Sequence, residues 1–248
     1  MRLAGRLAYD GTLYCGFQRQ RAELPSIQAT VEQALTQVID EKITITGAGR
    51  TDTGVHASGQ VIAFDMLWKH TTEELLKAIN IHLPNDIALQ SLREVAESFH
   101  PRYAALSRSY LYRLYISPTR DPLRERYAWH RHLPLDVEAM QEAIQLLRGE
   151  HDFATFGSPP KGENTVRVMT LTQIAAVRDE LHVTLTANAF LKRMVRSIVG
   201  TLVEVGRGKM NVAEFTVAFR SANRKMAGTS APPHGLTLTH VVYNDYQF

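Results

Sequence analysis

Strand-like and helix-like segments alternate along this chain of 248 residues, and that alternation constrains its fold more than any other feature. A weakly alternating segment ends at Asp10-Gly11, and apolar residues at helical spacing follow Pro25-Ser26. The run Ile43-Thr44-Ile45-Thr46 predicts a short strand, and residues 61–64 predict a buried strand. Thr71 to Glu74 fits the capping box of a second helix. The first part of the chain is therefore a mixture of strands and helices.

The second part repeats this alternation. Aromatic residues on alternate positions predict a strand at 110–116, and Asp136 is expected to cap a helix. Residues 168–177 and 181–187 predict a hairpin, and residues 190–205 predict the longest amphipathic helix. We therefore predict an α+β protein with two halves, residues 1–100 and 101–248.

Several classes of protein fit this sequence poorly. A single cysteine, Cys15, excludes an intramolecular disulfide and a multi-cysteine zinc site. No apolar run approaches the roughly 20 residues that cross a bilayer, and no apolar stretch follows the charges at the N-terminus. We expect a soluble cytoplasmic protein without a membrane partner.

Positive charge is concentrated in two blocks, although the net charge is only +3. Residues 100–131 contain 7 Lys and Arg against 2 Asp and Glu, and residues 190–225 contain 8 against 2. Such blocks suit a polyanion whose phosphates release counterions on binding. They are equally compatible with solvated faces that bind nothing, so charge alone leaves both readings open.

The common catalytic signatures are absent. The chain has no Gly-x-Ser-x-Gly elbow, and Glu163 stands where the Walker lysine would follow Gly157 and Gly162. His130-x-His132 lacks an evident third ligand, so these histidines are better interpreted as surface or RNA-facing residues than as a metal site. We expect no metal.

The segment from Gly47 to Ala57 differs from the rest of the chain. Its three glycines within eight residues indicate unusual backbone angles or close approach of a ligand. Asp52, flanked by Arg50, is either a functional carboxylate kept ionised by a nearby cation or a turn residue that caps backbone amides. The residues themselves leave these alternatives open.

The run Gly49-Arg50-Thr51-Asp52-x-Gly54-Val55-His56-Ala57 resembles the signature of the tRNA pseudouridine synthase A family. Four further segments resemble that family in the same order, so the resemblance covers nearly the whole chain. They are Tyr9-Asp10-Gly11-Thr12-x-Tyr14-x-Gly16-Phe17-Gln18-x-Gln20, Arg108-x-Tyr110-x-Tyr112, Phe190-Leu191-x-x-Met194-Val195-Arg196 and Ala231-Pro232-Pro233-x-Gly235-Leu236.

The resemblance implies an enzyme that isomerises uridine to pseudouridine at positions 38 to 40 in the anticodon stem-loop of tRNA. Asp52 is then the essential catalytic carboxylate, acting on a uridine flipped out of its stack. No cofactor is expected, because substrate and product are isomers in the same redox state. Attack on the base, attack on the sugar and proton abstraction from the sugar all stay open as routes.

The resemblance also implies which residues bind the uridine. Arg50 steadies the flipped nucleotide or fills the space that its base leaves, and Tyr110 stacks on the uracil. Arg196 pairs with Asp52, and Phe190 and Leu191 form pocket walls. The plain alternatives are a core aromatic for Tyr110 and a surface arginine lying over apolar residues for Arg196. His56 is expected to stabilise the loop through a hydrogen bond.

By the same resemblance, tRNA is the partner, and the protein is a homodimer. The two basic blocks then bind the tRNA backbone on either side of a cleft, and five cations are expected to take part. These are Arg108, Arg124, Arg126, Lys192 and Arg193. The expected architecture is two ferredoxin-like or RRM-like halves with mixed, mainly antiparallel sheets side by side, helices on one face and the active-site cleft between the halves.

Two other functions compete with this interpretation. A non-catalytic RNA-binding protein would share the basic blocks and the aromatic strand, but would have no need of Asp52, Arg50 and Arg196 together. A metal-assisted hydrolase would use Asp52, His56, His130 and His132, and its activity would be sensitive to a chelator.

Overall fold

The computed structural model describes residues 1–20, 24–159 and 162–248. These residues form two compact units. Unit 1 comprises Met1–Leu106 together with Thr237–Phe248, and unit 2 comprises Ser107–Leu236. The chain therefore leaves unit 1, forms unit 2 and returns to unit 1, whereas the sequence interpretation kept all of residues 101–248 in one half.

Unit 1 is built on a mixed sheet. Its elements are β1 (Arg2–Tyr9), α1 (Ile27–Ile39), β2 (Thr46–Gly47), β3 (His56–Asp65), α2 (Thr72–His82), β4 (Ile87–Leu89), β5 (Arg93–Val95) and, near the end of the chain, β11 (Leu236–Val242). Strand β3 pairs antiparallel with β1 and β2, and parallel with β11. Strands β4 and β5 both pair antiparallel with β1.

Unit 2 has a largely antiparallel sheet. The elements are β6 (Ser107–Ile116), β7 (Trp129–Arg131), α3 (Val137–Gln145), β8 (Gly149–Asp152), β9 (Val166–Val177), β10 (Glu180–Ala187), α4 (Met194–Gly206) and α5 (Val212–Arg220). The strand order is β6-β10-β9-β8, and the short strand β7 pairs with β6 in parallel. The predicted α+β class with mixed, mainly antiparallel sheets is confirmed.

Helix starts follow the side chains that cap them. Thr71 and Glu74 form the predicted capping box of α2, and Asp136 accepts from the amide of Ala139 at the start of α3. Ser26 caps α1 in the same way. These short polar side chains satisfy amides that have no partner within their own helix, which is why the sequence predicted these starts well.

Two predicted elements differ in the structure. The predicted strand at residues 43–46 is reduced to Thr46–Gly47, because Ile45 bonds to side chains of α1 instead of a neighbouring strand. The helix predicted from residue 190 begins at Met194, since Arg193 has a φ of 62° and adopts the left-handed conformation. Residues 190–193 therefore lie outside the helix, and Lys192 forms an isolated bridge with Ser158.

A core cluster of unit 1 joins its two sequence segments. Buried Phe99 and Tyr243 pack with ring centroids 5.2 Å apart, and the Tyr243 hydroxyl donates to the carbonyl of Pro101 at 2.7 Å. Tyr246 and Phe248 also pack against Phe99. The final residues are thus part of the core that carries β1 and β3.

Candidate active site

The loop between β2 and β3 carries Asp52, and we refer to its residues 48–55 as the Asp52 loop. The Asp52 side chain is partly exposed and Arg50 is exposed, whereas Thr51 between them is only 7% exposed. The Asp52 loop therefore presents two charged side chains to solvent, one on either side of a buried residue.

Thr51 is the point at which the backbone of the loop is held. Its hydroxyl lies 2.8 Å from the hydroxyl of Tyr9 at the end of β1, and both residues are buried. Its carbonyl accepts from the amide of Phe17 at 3.1 Å. A hydrogen bond between buried groups is costly to lose, so these contacts fix the residue that precedes Asp52.

Glycines let neighbouring segments pass close to the Asp52 loop. Gly16 has a φ of +90°, and a Cβ there would lie 2.7 Å from the carbonyl oxygen of Thr51. Gly54 has a φ of +75°, within a turn that Val55 closes by donating its amide to the carbonyl of Asp52 at 3.1 Å. Two of the glycines of the predicted motifs thus occupy positions that disfavour any side chain.

His56 holds a second turn against the loop. Its Nδ1 accepts from the amide of Gly11 at 3.1 Å, which requires that nitrogen to be unprotonated. Asp10 Oδ1 lies at the same distance from Nδ1, but it already accepts from the amide and the hydroxyl of Thr12. We therefore assign the hydrogen bond to Gly11 and interpret His56 as a stabiliser of the turn at Asp10-Gly11.

Tyr110 lies on β6 in unit 2 and is 8% exposed. Its ring meets that of Phe190 edge to face, with centroids 4.9 Å apart and planes at 79°. Leu191 is buried next to Phe190 in the chain. The structure thus brings Tyr110 and Phe190 into direct contact within unit 2.

Arg196 lies in the first turn of α4 and is only partly exposed. Its Nε donates to the carbonyl of Ala231 at 2.8 Å, and the amide of Ala231 donates to the Arg196 carbonyl at 2.9 Å. Tyr112 bonds the next residue, with its hydroxyl 2.8 Å from the carbonyl of Pro232, and burial raises the pKa of that hydroxyl. Three of the segments singled out in the sequence therefore meet within unit 2.

The five predicted tRNA-backbone cations differ in their surroundings. Arg108 is 8% exposed and donates to the carbonyl of Asn188 at 2.8 Å. Arg124 bonds two carboxylates of its own unit, those of Asp179 and Glu180, so a phosphate would have to compete with both. Three further cations are exposed, namely Arg126, Lys192 and Arg193.

Glu180 is the centre of a network that sequence analysis missed. Its oxygens accept from Arg113 at 2.8 and 2.9 Å, from Arg124 at 2.9 Å and from His182 at 2.8 Å. Burial alone would raise the pKa of Glu180, but the hydrogen bonds from Arg113, His182 and Arg124 outweigh it and lower the pKa to about 2. The network ties the β9–β10 turn to β6 and to the loop that carries Arg124.

Sequence analysis also missed the pair formed by Gln28 and Glu32 on α1. Both residues are buried and they bond each other at 2.8 Å. The available signal was two polar residues four positions apart inside the stripe made by Ile27, Val31 and Leu35. A buried carboxylate at such a position requires partners, which the sequence does not identify.

None of the helices in residues 1–20, 24–159 and 162–248 is long and apolar enough to span a membrane. Within the same ranges, no group of three or more His, Cys, Asp or Glu side chains is arranged to hold a metal ion. His130 instead stacks on Tyr115, with centroids 4.8 Å apart.

The family model and three relatives that match this chain all carry the description tRNA pseudouridine synthase. A family model described as tRNA pseudouridine synthase matches residues 7–104 and 143–244. The tRNA pseudouridine synthase A of Brevibacillus brevis is 44% identical over 98% of this chain and 99% of its own length. The protein of the same name from a Geobacillus strain is 39% identical over 98% of this chain and 99% of its length, and that from Neisseria gonorrhoeae is 41% identical over 98% and 92%.

Proposed function

The chain belongs to the tRNA pseudouridine synthase family and is an enzyme of tRNA pseudouridylation, and from that premise we propose that it modifies uridines of the anticodon stem-loop with Asp52 as its essential carboxylate. The reaction breaks the N–C glycosidic bond of uridine and forms a C–C bond to the same base. Substrate and product are isomers, so the balance requires no oxidant, reductant or co-substrate.

The observation that supports Asp52 is its presentation. Its side chain is accessible, while the preceding residue is fixed by Tyr9 and Phe17 and the following turn is closed by Val55. A reactive group works best when its backbone is held before the substrate arrives, because little entropy is then lost in reaching the reactive geometry. A carboxylate that only capped a turn would not need this bracing.

The flipped uridine requires a surface for its base and a group to replace it in the stack. We assign the first role to Tyr110, whose ring is already held by Phe190, with Leu191 completing the wall. We assign the second role to the exposed Arg50. The pairing of Arg196 with Asp52 stays a prediction of the family resemblance.

The remaining parts of the proposal concern partners and location. Phosphates of the anticodon stem-loop would be bound by Arg126, Lys192 and Arg193, with Arg108 and Arg124 as weaker candidates because both are engaged within unit 2. We further propose a homodimer, which light scattering after gel filtration would test, and a cytoplasmic location, where tRNA is used.

The experiment compares Asp52→Asn with the unaltered enzyme on a transcript of an anticodon stem-loop and on a full tRNA. We expect pseudouridine, measured by mass spectrometry, to fall below detection while tRNA affinity stays within about twofold, because only the charge is removed. Asp40→Asn is the matched control, since Asp40 is exposed and its left-handed conformation, with a φ of 56°, suits asparagine.

Wild-type turnover by Asp52→Asn would overturn the role assigned to Asp52. Mapping the modified positions in bulk tRNA from cells that lack this protein tests the anticodon stem-loop separately. Loss of pseudouridine elsewhere in the tRNA, with the anticodon stem-loop unchanged, would contradict that substrate.

A further inference from the structure

Glu32 is a buried carboxylate that the reaction proposed above does not use. It lies in the middle of α1, and its side chain is only 7% exposed. Carboxylates are seldom buried unless several donors surround them, because removal from water is costly. The donors around Glu32 therefore indicate what the carboxylate holds in place.

Glu32 and Gln28 together hold two separate segments of chain. Glu32 Oε1 accepts from Gln28 Nε2 at 2.8 Å and from the Ile45 amide at 3.1 Å, while Oε2 accepts from Arg19 Nη1 at 2.5 Å. Gln28 also donates to the Ile45 carbonyl at 3.2 Å, and its Oε1 accepts from the Arg19 amide at 3.0 Å and from Gln18 at 2.6 Å. We call Gln28 and Glu32 the polar clamp.

The first segment held by the polar clamp leads directly into the Asp52 loop. Both backbone groups of Ile45 are bound by side chains of α1, in the place of a strand neighbour. Ile45 is followed by β2 and then by residue 48, the first of the loop. The clamp therefore fixes the point from which the loop departs.

The second segment, residues 16–19, lies against the loop itself. Phe17 donates its amide to the carbonyl of Thr51, and Gly16 passes so close that a Cβ would lie 2.7 Å from the same oxygen. The Phe17 ring also lies against Gly47, where a Cβ would be 2.6 Å from it. A shift of residues 16–19 would therefore be passed on to Thr51, which is adjacent to Asp52.

We propose that Glu32 is a positioning residue for the reaction. Through Gln28, Ile45 and Arg19 it fixes the segment that leads into the Asp52 loop and the segment, residues 16–19, that packs against that loop. This inference rests on the proposed role of Asp52. It predicts that weakening the polar clamp lowers kcat and leaves the affinity for tRNA largely unchanged, because the cations proposed to bind phosphate belong to unit 2.

The test uses Glu32→Leu, Glu32→Gln and Gln28→Leu in the full chain. Displacement of a reacting group by about 1 Å costs up to 100-fold in rate, so we expect kcat of Glu32→Leu to fall about 10- to 100-fold, with KM within about twofold. Glu32→Gln keeps an oxygen acceptor for Ile45, but it places a donor NH2 group where the carboxylate accepted from Arg19. Its kcat should therefore lie between those of Glu32→Leu and the unaltered enzyme.

Hydrogen exchange at the Ile45 amide provides a readout independent of turnover. Protection should be lost in Glu32→Leu and kept in Glu32→Gln. Gln33→Ala is the matched control, because Gln33 is the exposed neighbour of Glu32 on the same helix. Ile79→Ala, in the core of α2, controls for a general loss of stability in unit 1.

The proposal is overturned if kcat of Glu32→Leu is no lower than that of Ile79→Ala at an equal shift of the unfolding midpoint. Should Glu32→Leu fail to fold, unchanged kcat in both Gln28→Leu and Glu32→Gln would overturn it equally. Asp52→Asn measured in parallel separates the two ideas. Turnover by that variant removes the role of Asp52, whereas an inactive Asp52→Asn beside a fully active Glu32→Leu removes only that of the polar clamp.

Discussion

The hydroxyl groups of Tyr9 and Thr51 lie 2.8 Å apart in the interior of unit 1. Thr51 directly precedes Asp52, whose carboxylate is proposed to react. Tyr9 ends β1 and Thr51 lies in the Asp52 loop, so the bond joins the central sheet to that loop.

Tyr9→Phe removes the hydroxyl and keeps the ring. We expect a loss of about 1–2 kcal/mol in the free energy of unfolding, because the buried Thr51 hydroxyl loses its partner. Urea denaturation followed by fluorescence measures this loss. Tyr103→Phe is the control, since Tyr103 is 76% exposed and should change the midpoint little. Equal midpoints for the two variants would contradict the importance of the bond.

Gly16→Ala should impair turnover more than it impairs folding. The new methyl group combines a φ of +90° with a contact at 2.7 Å to the Thr51 carbonyl, so the Asp52 loop must shift. Gly208→Ala shares the positive φ, at +67°, but its Cβ would meet nothing within 4 Å. We expect kcat to fall at least about tenfold in the first variant only. A similar kcat for both would show that the close approach to Thr51 is unimportant.

Glu180→Gln should lower the free energy of unfolding at neutral pH. It should also make that free energy fall less as the pH is lowered. The pKa of Glu180 is about 2 in the folded protein, below the usual 4.5 of an unfolded chain. The carboxylate therefore stabilises the fold above about pH 4.5, and this contribution is lost as the pH falls from there towards 2. Urea midpoints at pH 7 and pH 3 should differ less in Glu180→Gln than in the unaltered protein. Glu142→Gln, at an exposed position on α3, should keep the original difference.

Arg124 and Arg126 should separate stability from RNA binding. Arg124→Ala breaks the bonds to Asp179 and Glu180 and exposes the Tyr115 ring, over which the guanidinium lies at 4.3 Å, so the unfolding midpoint should fall. Arg126→Ala should instead weaken tRNA affinity and reduce the slope of log K against log salt by about 1. Filter binding at several salt concentrations measures the tRNA affinity and its salt dependence. Unchanged affinity in Arg126→Ala would mean that this part of the basic block does not contact tRNA.

The sequence predicted those parts of the fold that depend on neighbours along the chain. Capping by Thr71 and Asp136 was readable because cap and helix lie within a few residues. The strand at residues 43–46 was wrong because the partners of Ile45 are side chains 13 and 17 positions away. A run of β-branched residues such as this one does not indicate which groups its backbone amides will bond.

The candidate site rests on a different kind of argument. The roles of Asp52, Arg50 and Tyr110 come from resemblance to a family and stay predictions, since a Gly-rich turn with one carboxylate is chemically ambiguous. The bonds that hold the site, such as those of Glu32 and His56, are side-chain contacts between distant segments. The sequence indicated that His56 would form a hydrogen bond but did not identify Gly11 as its partner, and for Glu32 it offered only the polarity of Gln28 and Glu32 as a signal. The left-handed Arg193 had no signal, because arginine rarely adopts that conformation.

The return of residues 237–248 to unit 1 has a consequence for synthesis. Unit 2 is continuous in sequence, so it can fold as soon as residue 236 has left the ribosome. Unit 1 still lacks most of β11 and Tyr243 at that point, although its other residues emerged more than a hundred positions earlier. Nascent chains halted before residue 237 should therefore leave residues 56 and 57 of β3 without their neighbours in β11, a state in which binding by a chaperone would protect against aggregation.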